Sequence, residues 1–239
     1  ICIPSEITET EKAAILQLGK ELGIEDTRID EEIKAAAIGS GVDIYNPSGV
    51  LVVDIGGGTT DFGVLSLGDV VLSRSIKVAG TYFDDRIIEY VKDVHKLEIG
   101  TQTAEKAKIH LASLSGDLPV DETGKLLTFE VMGRNVTSGL PKMVVLEPKE
   151  IRDILLKAFE TIKTNLIATL EATPPELAGD LVDNGIIIAG GGAKIKGLKE
   201  YVEEFTHVDV HISSSPLTAV VDGTKKLLKM NKNHYLGEM

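Results

Sequence analysis

The sequence predicts an α/β fold in which parallel strands alternate with helices, joined to one antiparallel meander. Two near-continuous apolar runs, Val50-Leu51-Val52-Val53 and Ile186-Ile187-Ile188-Ala189, have the character of strands buried on both faces. Each run leads into three glycines, Gly56-Gly57-Gly58 after Asp54-Ile55 and Gly190-Gly191-Gly192 directly. Around these runs the apolar residues recur at helical spacing, so that helices and strands alternate along the chain.

In chain order, Ile1-Cys2-Ile3-Pro4 reads as an apolar strand entering a turn; with no methionine ahead of it, the sequence is expected to begin inside a domain. Thr8 or Thr10 caps a helix to about Leu22, with Ala14, Ile15, Leu18 and Leu22 on one face and Gly23 as its stop. A short helix begins near Glu31. After the strand at Val50 to Asp54, the runs Phe62 to Leu67 and Val70 to Ile76 complete a three-stranded meander with a tight turn at Gly68-Asp69. Helical spacing covers about Phe83 to Leu97 and Thr103 to Leu114. A polar stretch with Asp117, Pro119, Asp121 and Gly124 then leads to a hairpin at Leu126 to Arg134, and the block reads as an insertion. Pro148 to about Leu170 is a core helix, its stripe being Ile151, Ile154, Leu155, Ala158, Phe159 and Ile162. Pro174-Pro175 breaks the chain before the second buried strand. A helix at Lys196 to about Phe205, a short strand at Val208 to Ile212, a helix at Pro216 to Lys229 and a short tail complete the reading.

The 239 residues are 43% hydrophobic with a mean hydropathy of +0.10, which suits a globular chain with one or two lobes. A net charge of −12 disfavours nucleic acid as a partner, because phosphate backbones need a basic surface. The single cysteine, Cys2, has no internal disulfide partner and reads as a small packing residue in a reducing cytoplasm. No apolar run is long enough to span a membrane. The five histidines, among them His95, His207 and His211, lack metal-ligand spacing and read as surface or packing residues.

The segment richest in chemistry is Asp54-Ile55-Gly56-Gly57-Gly58-Thr59-Thr60-Asp61. Glycines let backbone N–H groups approach a phosphate, the hydroxyls of Thr59 and Thr60 can donate to its oxygens, and a carboxylate at the strand end, Asp54, can hold Mg²⁺ through water. On pattern alone the same residues also suit a glycine-bulged turn with an incidental acid. The second triglycine, Gly190 to Gly192 followed by Ala193, again lies between a buried strand and a helix, so the pair suggests two walls of one cleft. Neither segment continues as a P-loop, and no G-x-G-x-x-G fingerprint opens a helix, which disfavours an ordinary dinucleotide site.

The stretch Val52 to Asp61 resembles the second phosphate loop of the actin, Hsp70 and sugar-kinase superfamily. Glu31-Glu32-Ile33-Lys34-Ala35-Ala36-Ala37-Ile38-Gly39, Ala104-Glu105-Lys106-Ala107-Lys108, and Thr173-Pro174-Pro175-Glu176-Leu177 leading to Gly190 narrow the resemblance to the MreB family of bacterial actin-like proteins, over essentially the whole chain.

That resemblance implies an actin-like, ribonuclease H-like α/β fold with two lobes around a cleft for ATP or ADP and Mg²⁺. Residues 1–46 are then the remainder of the first lobe (subdomain IA), 47–83 and 147–239 the second lobe (IIA, its last helix returning towards IA), and 84–146 the inserted subdomain IIB. It implies that Glu32 positions the attacking water with help from the Thr59 hydroxyl, roles suited to phosphoryl transfer. Asp54 is to hold the Mg²⁺ hydration shell, the two triglycines and Ala193 the phosphates, and Glu105, Lys106 and Lys108 the ribose and adenine. Read without the resemblance, Glu32 is a first-turn helix acid and the Glu105–Lys108 pair a solvated charge pair.

Two departures stand out. Ile33-Lys34 replaces the usual Pro-Met, removing a rigid turn beside the water-positioning acid, which bears on hydrolysis and not on binding. Lys106 replaces arginine, a point charge for a planar fork, which loosens base stacking. The first phosphate loop and the apolar membrane-contacting loop of the family are expected before Ile1.

The function implied is a weak ATPase that polymerises with itself into cytoskeletal filaments governing cell shape or motility. The protein would be cytoplasmic, with peripheral contact at the inner face of the membrane. The alternative is a monomeric superfamily ATPase or small-molecule kinase. A chaperone-like ATPase is disfavoured because only a short tail follows Lys229.

Overall fold

The chain runs through ten strands and eight α-helices, described for residues 1–5 and 7–235 by a computed structural model. The tail expected after Lys229 is helical to Tyr235, and residues 236–239 lie outside the described residues.

A central five-stranded sheet of order β10-β9-β3-β4-β5 organises the rest. Its strands are β3 (Val50–Ile55), β4 (Thr60–Ser66), β5 (Asp69–Ile76), β9 (Ile186–Ala189) and β10 (Val210–Ile212). β3, β4 and β5 form the expected antiparallel meander, while β9 lies parallel to both β3 and β10. The turn between β4 and β5 is Leu67-Gly68, with φ of 53° and 86°, a pairing of positive angles that matches the twist of a tight hairpin. Every residue of β3 and β4 is buried because both faces of the sheet are covered. Leu51, Val53, Ile55, Phe62 and Val64 face a core built with α3 (Gly80–His95) and α5 (Pro148–Ala172). Val50, Val52 and Leu65 face the opposite layer, α2 (Glu32–Gly39) and α8 (Ala219–Tyr235). Side-chain alternation of period two thus sorts each strand into two cores.

α2 and α8 touch backbone to backbone. A Cβ added at Gly39 would stand 1.7 Å from Ala219 O, and one at Gly223 would stand 1.8 Å from Ala35 O. Ala35, Ala36 and Ala37, all fully buried, keep the α2 side of this contact thin.

α5 is a spine of 25 residues, ~37 Å at the usual helical rise. At its start Glu150 Oε1 accepts from the Tyr90 hydroxyl at 2.9 Å and lies 2.7 Å from His95 Nε2. Midway, Phe159 stacks on Phe83 with ring centroids 5.5 Å apart, and further on Asn165 Oδ1 accepts from Arg74 of β5 at 3.3 Å. His95 is a packing residue, as its spacing suggested.

Between α3 and α5 lie β6 (Leu97–Glu98), α4 (Thr101–Leu111), β7 (Phe129–Asn135) and β8 (Pro141–Leu146), with the strands in the order β6-β7-β8. Here the hairpin expected at Leu126 to Arg134 is displaced. The paired strands are β7 and β8, and the turn is Val136 to Leu140, organised by Asn135 Oδ1, which accepts from the N–H groups of Thr137 and Ser138. Leu126 makes only an isolated bridge to Val120. One face of β7 and β8 carries Met132 and Met143 directly opposite each other and exposed, so no clean apolar–polar alternation marked the pair.

At the other end of the chain, β1 (Cys2–Ile3) pairs in parallel with β2 (Asp30–Glu31), which leads straight into α2. α1 (Glu9–Glu21) starts at the capping box Thr8/Glu11: Glu11 N–H donates to Thr8 Oγ1 at 3.2 Å and Thr8 N–H to Glu11 Oε2 at 2.8 Å. Its apolar stripe is not a core face, since Leu18 and Leu22 are 53% and 68% exposed and only Gly19 is buried. Cys2 is half-buried against the Thr224 hydroxyl. α6 (Pro175–Asn184) and α7 (Leu198–Thr206) flank β9.

Candidate nucleotide site

The carboxyl ends of the parallel strands β3 and β9 lie side by side, with Asp54 paired to Ala189. Each strand then turns on its glycines, and the two turns abut. Gly190, at φ +81°, is packed so tightly that a Cβ there would stand 2.3 Å from Ile55 O and 2.4 Å from Asp54 Oδ1; at Gly192 it would stand 2.2 Å from Ile55 Cγ2. Only glycine allows this approach. The sequence expectation of two walls therefore resolves into neighbouring turns at one end of one sheet. Gly57 and Gly58 behave differently, for a Cβ at either meets nothing within 4 Å, so that face of the turn is open. Gly56 N–H closes the turn on Thr59 O at 2.9 Å, and Gly190 N–H donates to Pro216 O at 3.0 Å. Gly191 and Gly192 begin a short 3₁₀ turn that ends at Lys194, in which Ala193 is buried.

Beside the turns stand three carboxylates. Asp54 and Asp61 are directly opposite in the β3–β4 ladder and 7% and 2% exposed; both lie on the face covered by α2, whose first residue is half-buried Glu32. Burial, and then the charges of Asp61 and Glu32, push the Asp54 carboxyl up to about 7. Burial and then Asp61 raise Glu32 as well. Asp61 was quoted within the glycine segment but given no role; the signal that would have found it is register, because a bend of four residues between Ile55 and Thr60 forces Asp54 to face Asp61. Asp61 Oδ2 accepts from the Thr59 hydroxyl at 2.7 Å, while Oδ1 is buried without a hydrogen-bond partner among the described residues.

The remaining candidates divide. Thr60 is turned away: it is fully buried and its hydroxyl donates to Val78 O at 2.7 Å, because it shares the core face with Phe62. Glu105 and Lys106 are exposed on α4. Lys108 is drawn into the protein instead, its Nζ donating to Gly80 O at 3.0 Å and lying 2.8 Å from Asp84 Oδ1. Ile33, one of the departures, is fully buried and fills the space above Gly63, 2.6 Å from where a Cβ would be; Lys34 Nζ is 3.8 Å from Asp30 Oδ1. α2 starts at Glu32 without a proline to begin it.

No three His, Cys, Asp or Glu side chains among the described residues converge closely enough to ligate one metal ion directly. Asp54, Asp61 and Glu32 nevertheless suit a hydrated divalent cation, since the charges acting on Asp54 are both negative and one Asp61 oxygen is unpartnered. No helix among the described residues is long and apolar enough to cross a membrane.

Comparison with known proteins agrees along the chain. The MreB/Mbl protein family profile matches residues 1–235. The cell shape-determining protein Mbl of Bacillus subtilis (strain 168) is 42% identical over 228 residues, covering 95% of this chain and 67% of that protein. The cell shape-determining protein MreB of Escherichia coli (strain K12) is 37% identical over 234 residues, covering 98% of this chain and 66% of its own length. The chain thus spans about two thirds of these relatives. The crystal structure of MreB5 of Spiroplasma citri bound to AMPPNP superposes with a TM-score of 0.93 at 42% identity, covering 100% of this chain and 70% of that one. The MamK double helical filament, at 23% identity and a TM-score of 0.76, shares the fold. With a profile match across nearly every residue, relatives above 30% identity and a near-complete superposition, the chain belongs to the MreB/Mbl family and has its actin-like fold.

Proposed function

We propose that this chain binds ATP or ADP with Mg²⁺ at the glycine-turned end of its central sheet, hydrolyses ATP slowly, and uses the nucleotide to control assembly of its own copies into cytoskeletal filaments. The observation that carries the reading is the abutment of two glycine turns at the ends of neighbouring parallel strands, beside a buried Asp54 on which Asp61 and Glu32 both act as negative charges. The relatives support it: the Mbl and MreB proteins are named as cell shape-determining, and MreB5 structures hold AMPPNP and ADP.

Gly57 and Gly58 present an open backbone face to the phosphates, with Gly190, Gly191, Gly192 and Ala193 on the adjoining turn. Asp54, with Asp61 opposite it in the ladder, would hold the hydration shell of the cation. When bound, the cation supplies neutralisation of charge on the phosphate oxygens. Glu32, raised by burial and by Asp61, orients the attacking water. Thr59 has committed its proton to Asp61, so its oxygen remains as an acceptor for that water. Glu105 and Lys106 are offered to the nucleoside end from α4. Residues 1–46 serve as part of one lobe, 47–83 and 147–239 as the second, and 84–146 as an insertion on it; closure of the lobes on nucleotide changes the surfaces that meet in a head-to-tail filament. Peripheral contact with the inner face of the cell membrane belongs to the same proposal and rests on family membership.

The test is sedimentation of the full-length protein. Polymer is expected in the pellet with ATP and Mg²⁺, and ATP-loaded protein that stays monomeric over a wide concentration range favours a monomeric ATPase or kinase instead. Glu32→Ala is expected to slow phosphate release at least roughly tenfold while ATP binding persists. Equal turnover in variant and parent rejects the role given to Glu32.

A further inference from the structure

Within the glycine turn, Gly56 N–H closes on Thr59 O at 2.9 Å, and no side chain or backbone packs within 4 Å of where a Cβ of Gly57 or Gly58 would stand. The carbonyls of the turn are gripped from α3. Gly80 N–H donates to Gly56 O at 3.1 Å and Thr81 N–H to Gly57 O at 2.8 Å, and the approach is close enough that a Cβ at Gly80 would stand 3.4 Å from Gly56 O. The start of α3 has no side-chain cap of its own. On its other side sits Lys108 of α4, whose ammonium donates to Gly80 O at 3.0 Å and pairs with Asp84 at 2.8 Å. Gly80 and Asp84 are four residues apart, so one lysine spans both acceptors on a single helix face. The pair is not a loose surface contact: the Lys108 and Asp84 side chains are only 14% and 7% exposed.

We infer that Lys108 is a positioning residue, clamping the first turn of α3 to α4 so that Gly56 and Gly57 keep the backbone conformation that faces the nucleotide, and tying the inserted block to that turn. Its geometry stands without the nucleotide, whereas its consequence for turnover rests on the proposed function. A lysine that contacts ribose or adenine directly is the rival reading, and it makes no demand on Asp84.

Hydrogen exchange on the full-length, nucleotide-free protein separates them. Lys108→Met and Asp84→Asn should each speed exchange of the Gly80 and Thr81 amides, which donate to the turn, and of the Gly56 amide within it by roughly fivefold or more, with a peptide from the middle of α5 unchanged. The double variant should do no more than either single one, because both remove the same clamp. Lys108→Arg should restore most of the protection, and in Lys108→Met the turnover number should fall several-fold with KM altered by less than about twofold. Unchanged exchange at the turn in Lys108→Met, or additive effects in the double variant, overturns the inference. So does weaker nucleotide binding with the turn still protected, which makes Lys108 a direct ligand. If Lys108→Met does not fold, the double variant, which removes both buried charges, reports on the same clamp. A parent protein that binds no nucleotide defeats the proposed function and leaves the exchange result to be judged by itself.

Discussion

Asp54→Asn should stabilise the nucleotide-free protein at pH 8, and by less than half as much at pH 5, where only the lower part of the window between 3.8 and about 7 has been crossed. In the fold the Asp54 carboxyl is pushed up from 3.8 to about 7, by burial first and then by Asp61 and Glu32. Between those values the folded chain keeps a proton that the unfolded chain releases, so stability falls as pH rises through the window and levels off above about 7. A gap of about three pH units at ~1.4 kcal/mol each sets an upper bound of about 4 kcal/mol. Relaxation of the site and the protonation of neighbouring Glu32 bring the expected gain to roughly 2–3 kcal/mol. Asparagine keeps the shape and lacks the charge, so it removes this penalty without opening a cavity. Urea midpoints in EDTA at the two pH values are the measurement, with an unchanged m-value confirming that stability alone has moved. Adding Mg²⁺ and ADP at pH 8 should then stabilise the parent more than the variant, since a ligand that binds only the folded state raises its stability. Parallel pH profiles for variant and parent, or a less stable variant at pH 8, would refute the idea that Asp54 stands in an uncompensated negative environment.

Three substitutions test other parts of the frame. Gly57→Ala should melt like the parent, because the added methyl meets nothing, yet weaken ADP binding by about tenfold or more if the open backbone faces the phosphates; titration calorimetry decides it. Gly190→Ala should instead lower the melting temperature whether or not nucleotide is present, since φ is +81° and the methyl would stand 2.3 Å from Ile55 O. Gly223→Ala should cost about 1–3 kcal/mol in denaturant unfolding by forcing α8 away from Ala35 O, and a silent result there would mean the two helices part easily.

What was legible in the sequence follows from how completely each element is enclosed. β3 and β4 are covered on both faces, so their apolar runs announced them, and the stripe of α5 gave its length to within a few residues. β8 was missed because it opens with Pro141 and leaves Met143 and Val145 exposed on its outer face. The stripe on α1 marked the helix but not its surroundings, since periodicity records a face without saying that anything covers it. At the site, glycine spacing pointed to both turns. The contacts of Thr60 and Lys108 were not legible, because their partners, Val78 O and Asp84, lie 18 and 24 residues away in sequence, and local pattern carries no information about contacts at that range.

The placing of Asp54 opposite Asp61 also bears on why this end of the sheet looks as it does. Like charges directly across a ladder destabilise a strand pair, and here both are buried with Glu32 added to them. A sheet selected for stability alone would put an apolar residue at one of these positions, as it does at Val52 and Leu65 on the same face. The cost falls beside the turn in which Gly57 and Gly58 are open, and where, among the described residues, Asp61 keeps an oxygen without a hydrogen-bond partner. Were the cation of the proposed function to bind here, it would relieve this repulsion, and the loaded state would be favoured over the unloaded one by that relief. That difference in free energy between the two states is what a nucleotide–cation complex can use to bias the arrangement of the surrounding elements.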